Sequence, residues 1–449
     1  MLQKQNSLVI GLFLATFGVA PSLGQDSVTS KMVLELPAID NFTFEPKIIE
    51  KHCSEVLANR RGQNLDTILL ALKHRTLAYL QMGKPQAAKL DIDELCNIKP
   101  KEPEFRAYRA IVLLELKQIQ EAIQEAREGI GLNPKHAMAH AVLGMALWLD
   151  GKKQDGLDSL TKAISLDRKR GYSYYVRGSC FLAQREPLLA LQDFNRFLQL
   201  SPYEKQGPAV PYVNKGTCLL FLNRPKEALN SFLLAGRLDP KLPNVLEGFA
   251  RAYGDMGKFH LAAHYAQQLL ALRPDAPPGY ALSAEYSSRI GKKKEADSAI
   301  EKLLNFPPHP VFFWNVGKAK FNMGRYSEAL GFFNKGLELS PDHFHCLMGK
   351  AHLLATCPDA KFRGGAQALK LAYKAYEDKK VRDWEKWQPA MVVAEAQAES
   401  GNFAEAVHFA KKALEIAGPD FGRREEFLQK LALFEKMMPY RAKIVEPTD

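Results

Sequence analysis

Small residues return about every 34 positions along this chain, and that period limits the possible fold more than any other feature. Counted from 31 residues before each closing position, place 8 holds Thr76, Ala110, Gly144, Gly178, Gly216, Ala250, Ala284, Gly317, Ala351 and Ala394. Place 20 holds Ala88, Ala122, Gly156, Ala190, Ala228, Ala262, Ala296, Ala329, Ala368 and Ala406. Prolines close many of the periods, at Pro100, Pro134, Pro202, Pro240, Pro274, Pro308 and Pro341. Between these marks the apolar residues fall at helical spacing, so each period reads as two amphipathic helices, A and B, joined by a tight turn. Small side chains at places 8 and 20 let the two backbones approach. Large ones at places 4, 11 and 24, such as Tyr174, Phe181 and Phe194, fill the space around the crossing. Proline at place 32 ends helix B because it lacks an amide proton and clashes with the preceding turn.

This spacing and its small-residue pattern resemble the tetratricopeptide repeat. The resemblance implies an all-α, right-handed superhelical solenoid of about ten helix-turn-helix repeats over 69–418. One repeat cannot bury its own apolar face, so capping helices are expected at both ends. "PKIIEKHCSEVLANR" supplies one within 46–68, and "RREEFLQKLALFEKMMPYR" another within 419–449, with Phe427, Leu431, Phe434 and Met438 on one stripe.

The N-terminus reads differently. "MLQKQNS" carries Lys4 and no acid, "LVIGLFLATFGVA" is apolar throughout, and "PSLGQ" offers small residues at Ser22 and Gly24. This is the order of a secretory signal over 1–24, with cleavage expected after Gly24 and an uncleaved anchor as the alternative. A loose leader over 25–45 follows. The chain is therefore expected to be exported, periplasmic or secreted. Its formal charge of +11 then points to anionic glycan, lipid head groups or acidic proteins, or to a solvated surface alone, and not to nucleic acid. The densest basic cluster is "GKKKEA", at a turn.

One stretch breaks the period. In the ninth repeat "CPDAKFRGG" stands where helix A should turn directly into helix B, and place 20 arrives five residues late, at Ala368. Cys357, Pro358, Asp359, Arg363 and Gly364 read as a structural turn. Pro358 stops helix A, Asp359 bonds its own following amides, and Gly364 and Gly365 supply turn dihedrals. "LLATCPDAKFRGGAQALKLAYKA", "AMVVAEAQAESGNFAEAVHFAKKALEIAG" and "LALFEKMMPYR" together resemble the C-terminal unit of exported tetratricopeptide-repeat proteins of some bacteria. Gly364 stands where that family usually has Asp, and Met438 where Lys is common. The first departure implies a weaker ion-pair role for the loop, and no catalytic activity follows from the family.

Candidate chemistry is sparse. A Cys357 nucleophile needs a base and an oxyanion site; His352 lies one turn upstream, but nothing orients it. His260 and His264, four apart, lack a third metal ligand and the glutamate of a metalloprotease motif, and His343 with His345 reads the same way. Cys180 and Cys218 share place 10 of adjacent repeats. Helix axes there lie about 8–10 Å apart, which suits buried thiols better than a disulfide. Cys53 and Cys96 could approach one another. No phosphate-binding glycine loop or serine triad is present, so the reading is a non-enzyme without metal or cofactor.

By analogy with the repeat family, a ligand lies against helix A at places 2, 5, 9 and 12. Met138, Met145, Trp148, Tyr172, Tyr175, Val210, Val213 and Phe221 form an apolar and aromatic run there, which suits an extended or helical peptide. The competing reading is packing against the next superhelical turn or the inserted "YEKQGP". Trp314, Phe321, Met348 and His352 make a second inner cluster. The Lys and Asn pattern of a carboxylate clamp is missing at the corresponding places. The expected function is an exported protein-interaction scaffold; the alternative is an envelope-associated protein that holds anionic glycan or lipid on its basic surface.

Overall fold

All but one of the A helices end two residues before a backbone position that most side chains avoid. Gly83, Gly151, Gly257, Gly291, Gly324 and Gly401 lie at positive φ between helix A and helix B of their repeats, and Lys117, Arg185 and Asn223 take the same left-handed conformation. The reversal is tight. In the first repeat the amides of Gly83 and Lys84 reach back to Leu80 and Tyr79. Proline starts three of the next helices, at Pro85, Pro187 and Pro225, where its missing amide proton costs nothing.

The computed structural model describes residues 46–200 and 209–444. The expected signal and leader, 1–45, and the inserted turn Tyr203–Pro208 lie outside the described residues. Among the described residues there are 22 α-helices and no strand. The protein is an all-α solenoid in which neighbouring helices pack as antiparallel pairs.

The chain forms two compact units. The first reaches Cys218 and includes Leu234–Pro240; the second comprises Leu219–Leu233 and the chain from Lys241. In the first, α1 (Pro46–Ala58) packs on α2 (Leu65–Gln81) through Ile49, Cys53 and Val56. Pairs then follow as α2 with α3 (Pro85–Ile98), α4 (Pro103–Glu115) with α5 (Ile119–Leu132), α6 (Ala137–Leu149) with α7 (Lys153–Leu166), and α8 (Gly171–Ala183) with α9 (Pro187–Leu200). The fifth repeat, α10 (Val210–Phe221) and α11 (Pro225–Leu238), is divided between the units along the sequence. In the second unit the pairs are α12 (Pro243–Asp255) with α13 (Phe259–Leu272), α14 (Pro277–Arg289) with α15 (Lys293–Leu304), and α16 (Pro310–Asn322) with α17 (Tyr326–Leu339). They continue as α18 (Phe344–Thr356) with α19 (Gly365–Tyr376) and α20 (Trp387–Glu399) with α21 (Phe403–Ala417), before α22 (Arg424–Glu435).

The crossings sit at places 8 and 20. A Cβ on Gly144 would lie 2.7 Å from the carbonyl oxygen of Gly156, and one on Gly156 equally close to that of Gly144. Gly178 meets Asp193 and Phe194 of α9, and Gly317 meets the Phe333 ring of α17. Ion pairs clamp some of these couples between places 7 and 23. Arg75 donates to both oxygens of Asp91 at 2.7 and 2.6 Å, and Arg177 to both of Asp193 at 2.8 Å. Such two-pronged bonds fix the roll of one helix against the other.

The C-terminal stripe is shorter than its spacing suggests. Phe427 and Phe434 are buried and Leu431 is half-buried, but Met438 is exposed, because α22 stops at Glu435 and Met437 takes a left-handed conformation.

Candidate functional site

The apolar run expected to face a ligand divides on folding. Met138, Met145, Trp148, Tyr175 and Val213 are buried, while Tyr172 and Val210 are half-buried. Phe221 belongs to the second unit, where its ring lies 5.7 Å from that of Trp384. The structure brings Met145 and Tyr172 together, with the phenol 3.7 Å from the thioether sulfur. Tyr175 turns instead to Phe194 and Phe197 of α9, at ring distances of 6.0 and 5.3 Å. The Lys153 ammonium sits over Trp148 at 5.6 Å. One signal for this burial was present: "AMAHAVLGMALWL" is apolar on every face, and such a helix is enclosed.

Glu115, the last residue of α4, is the feature of this surface that sequence reasoning missed. It is half-buried, and loss of water pushes its carboxyl up to about 7. Burial raises the Tyr172 phenol, and Cys180 and then Glu115 add to that rise. An isolated glutamate carries no motif, so only proximity to the aromatic residues marks it.

In the second unit the interrupted repeat satisfies several carbonyls at and beyond the end of α18. Pro358 has no amide proton, so Leu354 O cannot be satisfied from within the helix and accepts from Gly364 N at 3.0 Å. Leu353 O accepts from Cys357 N. Arg363 Nη1 donates to Cys357 O at 3.0 Å and Pro358 O at 2.9 Å. Asp359 accepts from Lys361 N and opens a short 3-10 turn, Ala360–Phe362. Gly364, at φ −168, is extended backbone open to any residue, and Gly365 also lies outside the left-handed region. This corrects the expectation of glycine dihedrals: Gly365 supplies space, since a Cβ there would lie 2.6 Å from Ser400 Oγ. The loop also keeps an ion pair despite Gly364, made by Arg363 Nε with Glu399 at 3.1 Å.

Charged side chains continue from this loop across the unit. Lys430 Nζ reaches Glu395 at 2.9 Å and Glu426 at 3.1 Å, and His352 Nδ1 lies 2.6 Å from the other oxygen of Glu395. Burial pushes the Glu395 carboxyl up, but His352 and Lys430 outweigh it and hold the group down to about 2. Lys318 pairs with Glu285 at 2.6 Å, and Arg289 lies over the Phe259 ring at 4.8 Å. Of the second inner cluster, Phe321 and Met348 are buried, Trp314 stacks on His345 at 4.4 Å, and His352 is committed to Glu395.

Comparison with known families finds the tetratricopeptide repeat at residues 109–170 and again at 312–343. The chain carries tetratricopeptide repeats. Among curated proteins, this repeat chain is 24% identical to human protein O-mannosyl-transferase TMTC3 over 238 residues, 46% of this chain and 26% of that protein. It is 27% identical to the human mitochondrial import receptor subunit TOM70 over 208 residues, 43% of this chain and 33% of the receptor. The chain thus spans about a quarter to a third of these relatives' length. Among solved structures, yeast Tom70 is similar at 13% identity and a TM-score of 0.43, over 87% of this chain and 96% of that one. The human IFIT1 dimer with m7Gppp-AAAA is similar at 14% identity and a TM-score of 0.47, over 92% and 95%.

Cys357 is buried, and burial raises its thiol. His352 gives its second nitrogen to Thr356, 3.5 Å away. His343 caps α18 by accepting from Cys346 N, and His264 meets Gln268 at 3.1 Å. His260 is exposed on α13. Among the described residues no group of three or more His, Cys, Asp or Glu is gathered as a metal requires. Cys53, Cys96, Cys180 and Cys218 are separate buried thiols.

Proposed function

We propose that the chain is an exported tetratricopeptide-repeat scaffold that holds protein partners on the inner face of its first unit. The Met145–Tyr172 contact carries this reading: a half-buried phenol rests on a thioether, with the Glu115 carboxyl acting on the same ring. Such a surface offers an aromatic anchor and a polar rim to a peptide, the combination from which interface affinity arises. Export, periplasmic or secreted, rests on the N-terminal charge and apolar pattern and on the resemblance of the C-terminal sequence to exported bacterial proteins. The reading needs no catalytic residue and no cofactor.

The test compares partner recovery from envelope extract by the wild-type chain and by Tyr172→Ala and Trp148→Ala variants, each checked for helicity. Recovered proteins are identified by crosslinking and mass spectrometry. Loss of the same partner with Tyr172→Ala supports the assignment, and equal recovery by all three chains removes it.

A second reading follows from the charge of +11 and the exposed Lys292 and Lys294. Here the basic surface holds anionic glycan or lipid at the envelope. Binding of that kind collapses as ionic strength rises, whereas an apolar groove is nearly indifferent to salt.

A further inference from the structure

The last turn of α18 leaves two acceptors that its own neighbourhood does not fill. After Cys357, Gly364 and Arg363 have taken the surrounding carbonyls, those of Ala355 and Thr356 remain. The C-terminal segment fills both. Ala442 N donates to Thr356 O at 2.9 Å, and Arg441 Nη1 to Ala355 O at 3.4 Å, from 86 positions further along the chain. The other end of the same guanidinium pairs with Glu399 at 2.7 Å. Tyr440 lies against the Lys430 ammonium at 4.7 Å, and a Cβ on Gly324 would lie 3.7 Å from Ile444 Cγ2.

The segment from Met438 to Ile444 has no helix or strand of its own and follows α22. Tyr440, Arg441 and Ala442 are half-buried, while Lys443 is exposed. Backbone amide to helix-end carbonyl, guanidinium to carboxylate, and aromatic ring to ammonium are the contacts by which a folded surface reads an extended peptide. Here the peptide belongs to the chain itself.

We infer that the Ala355 and Thr356 carbonyls, Glu399 and Lys430 form a peptide-binding site, occupied by Tyr440–Arg441–Ala442 and open to a partner's extended aromatic–arginine–small segment when the tail leaves. The chemistry selects the ligand. Without the tail, the site presents two bare carbonyls and one carboxylate oxygen, since Arg363 already holds the other. Lys430 faces the aromatic ring, and the groups around the guanidinium are acceptors, which take a donor-bearing cation. Arginine reaches Glu399 and Ala355 O together with two nitrogens of one planar group, and the single nitrogen of lysine does not span both. This site lies in the second unit and stands or falls independently of the first unit's inner face.

The probe is a fluorescent peptide spanning residues 436–444, added to the full-length chain and followed by anisotropy. Arg441→Ala in the protein loosens the resident tail, so the peptide should bind that variant about tenfold tighter than the wild type, whose site is filled. Replacing the peptide's arginine by lysine should weaken binding by about tenfold, and adding Glu399→Gln to the Arg441→Ala protein should abolish it. Circular dichroism establishes that each variant is folded. Equal binding to wild type and Arg441→Ala, no binding to a folded Arg441→Ala chain, or indifference to Glu399→Gln would each overturn the site. Light scattering that shows a dimer the peptide cannot dissociate would also overturn it, because the occupant would then be the tail of a second copy.

Discussion

Lys430 donates to Glu395 across 2.9 Å although only 5% and 1% of the two side chains meet solvent. Both charges are taken from water, so each depends on the other. Replacing Lys430 by alanine strands the carboxylate with His352 alone and should cost about 3–5 kcal/mol, read as a shift in urea midpoint. A loss under about 1 kcal/mol would place the pair with ordinary surface bridges.

Acid should unfold the chain in two separable windows. Glu395 is held down to about 2 in the fold, against about 4.3 for a free glutamate. Its contribution is therefore complete above pH about 5 and fades as pH falls toward 2. His74, buried in α2, is pushed down to about 4 by loss of water. The unfolded chain takes up that proton first, so stability falls between about pH 6.5 and 4. Urea midpoints measured against pH should lose the upper slope in His74→Leu and the lower slope in Glu395→Gln. An unchanged profile in either variant contradicts its assignment.

Two glycines make a matched pair. Gly144→Ala drives a Cβ into the Gly156 carbonyl oxygen at 2.7 Å, where backbone cannot retreat, and should destabilise by about 1–3 kcal/mol. Gly131, within α5, has nothing within 4 Å, so Gly131→Ala should stabilise by about 0.5–1 kcal/mol. Equal midpoints for the two variants would show that the crossing is looser than the contact distances imply.

The thiols should be silent. All six cysteines are buried, and burial pushes Cys53, Cys218 and Cys346 up to about 12 and Cys96 to about 11. A disulfide reagent should find almost no reactive thiol in the native chain at pH 8 and all six after denaturation. Fast reaction at Cys357 in the folded chain would reopen the question of its chemistry.

The repeat was legible because steric exclusion writes itself into single positions. Where two backbones cross at the distance of Gly144 and Gly156, only a small side chain fits, and the alternation of such positions along one chain suffices to find them. The ninth turn was legible as an interruption, since Pro358 ends a helix whatever surrounds it. Its glycines were misread: Gly365 is needed for the room that Ser400 leaves, and no local pattern reports a neighbour's hydroxyl. The inner face was legible only in part. Helical spacing places Met145, Trp148 and Tyr175 along helix A, but α6 is apolar all round, so spacing alone could not separate a ligand surface from the packing of the next pair.

What the sequence determined unaided is the alternation of helices and the close approach of each couple, because propensity, proline and small side chains act over a few residues. Tertiary structure alone decided what the ends of those helices meet. Arg441 reaches Glu399 and Ala355 O, and Ala442 N reaches Thr356 O, only after stacked repeats have brought segments separated in sequence to one place. A helix terminus carries unsatisfied groups in every sequence, and which donor satisfies them is a matter of position in space.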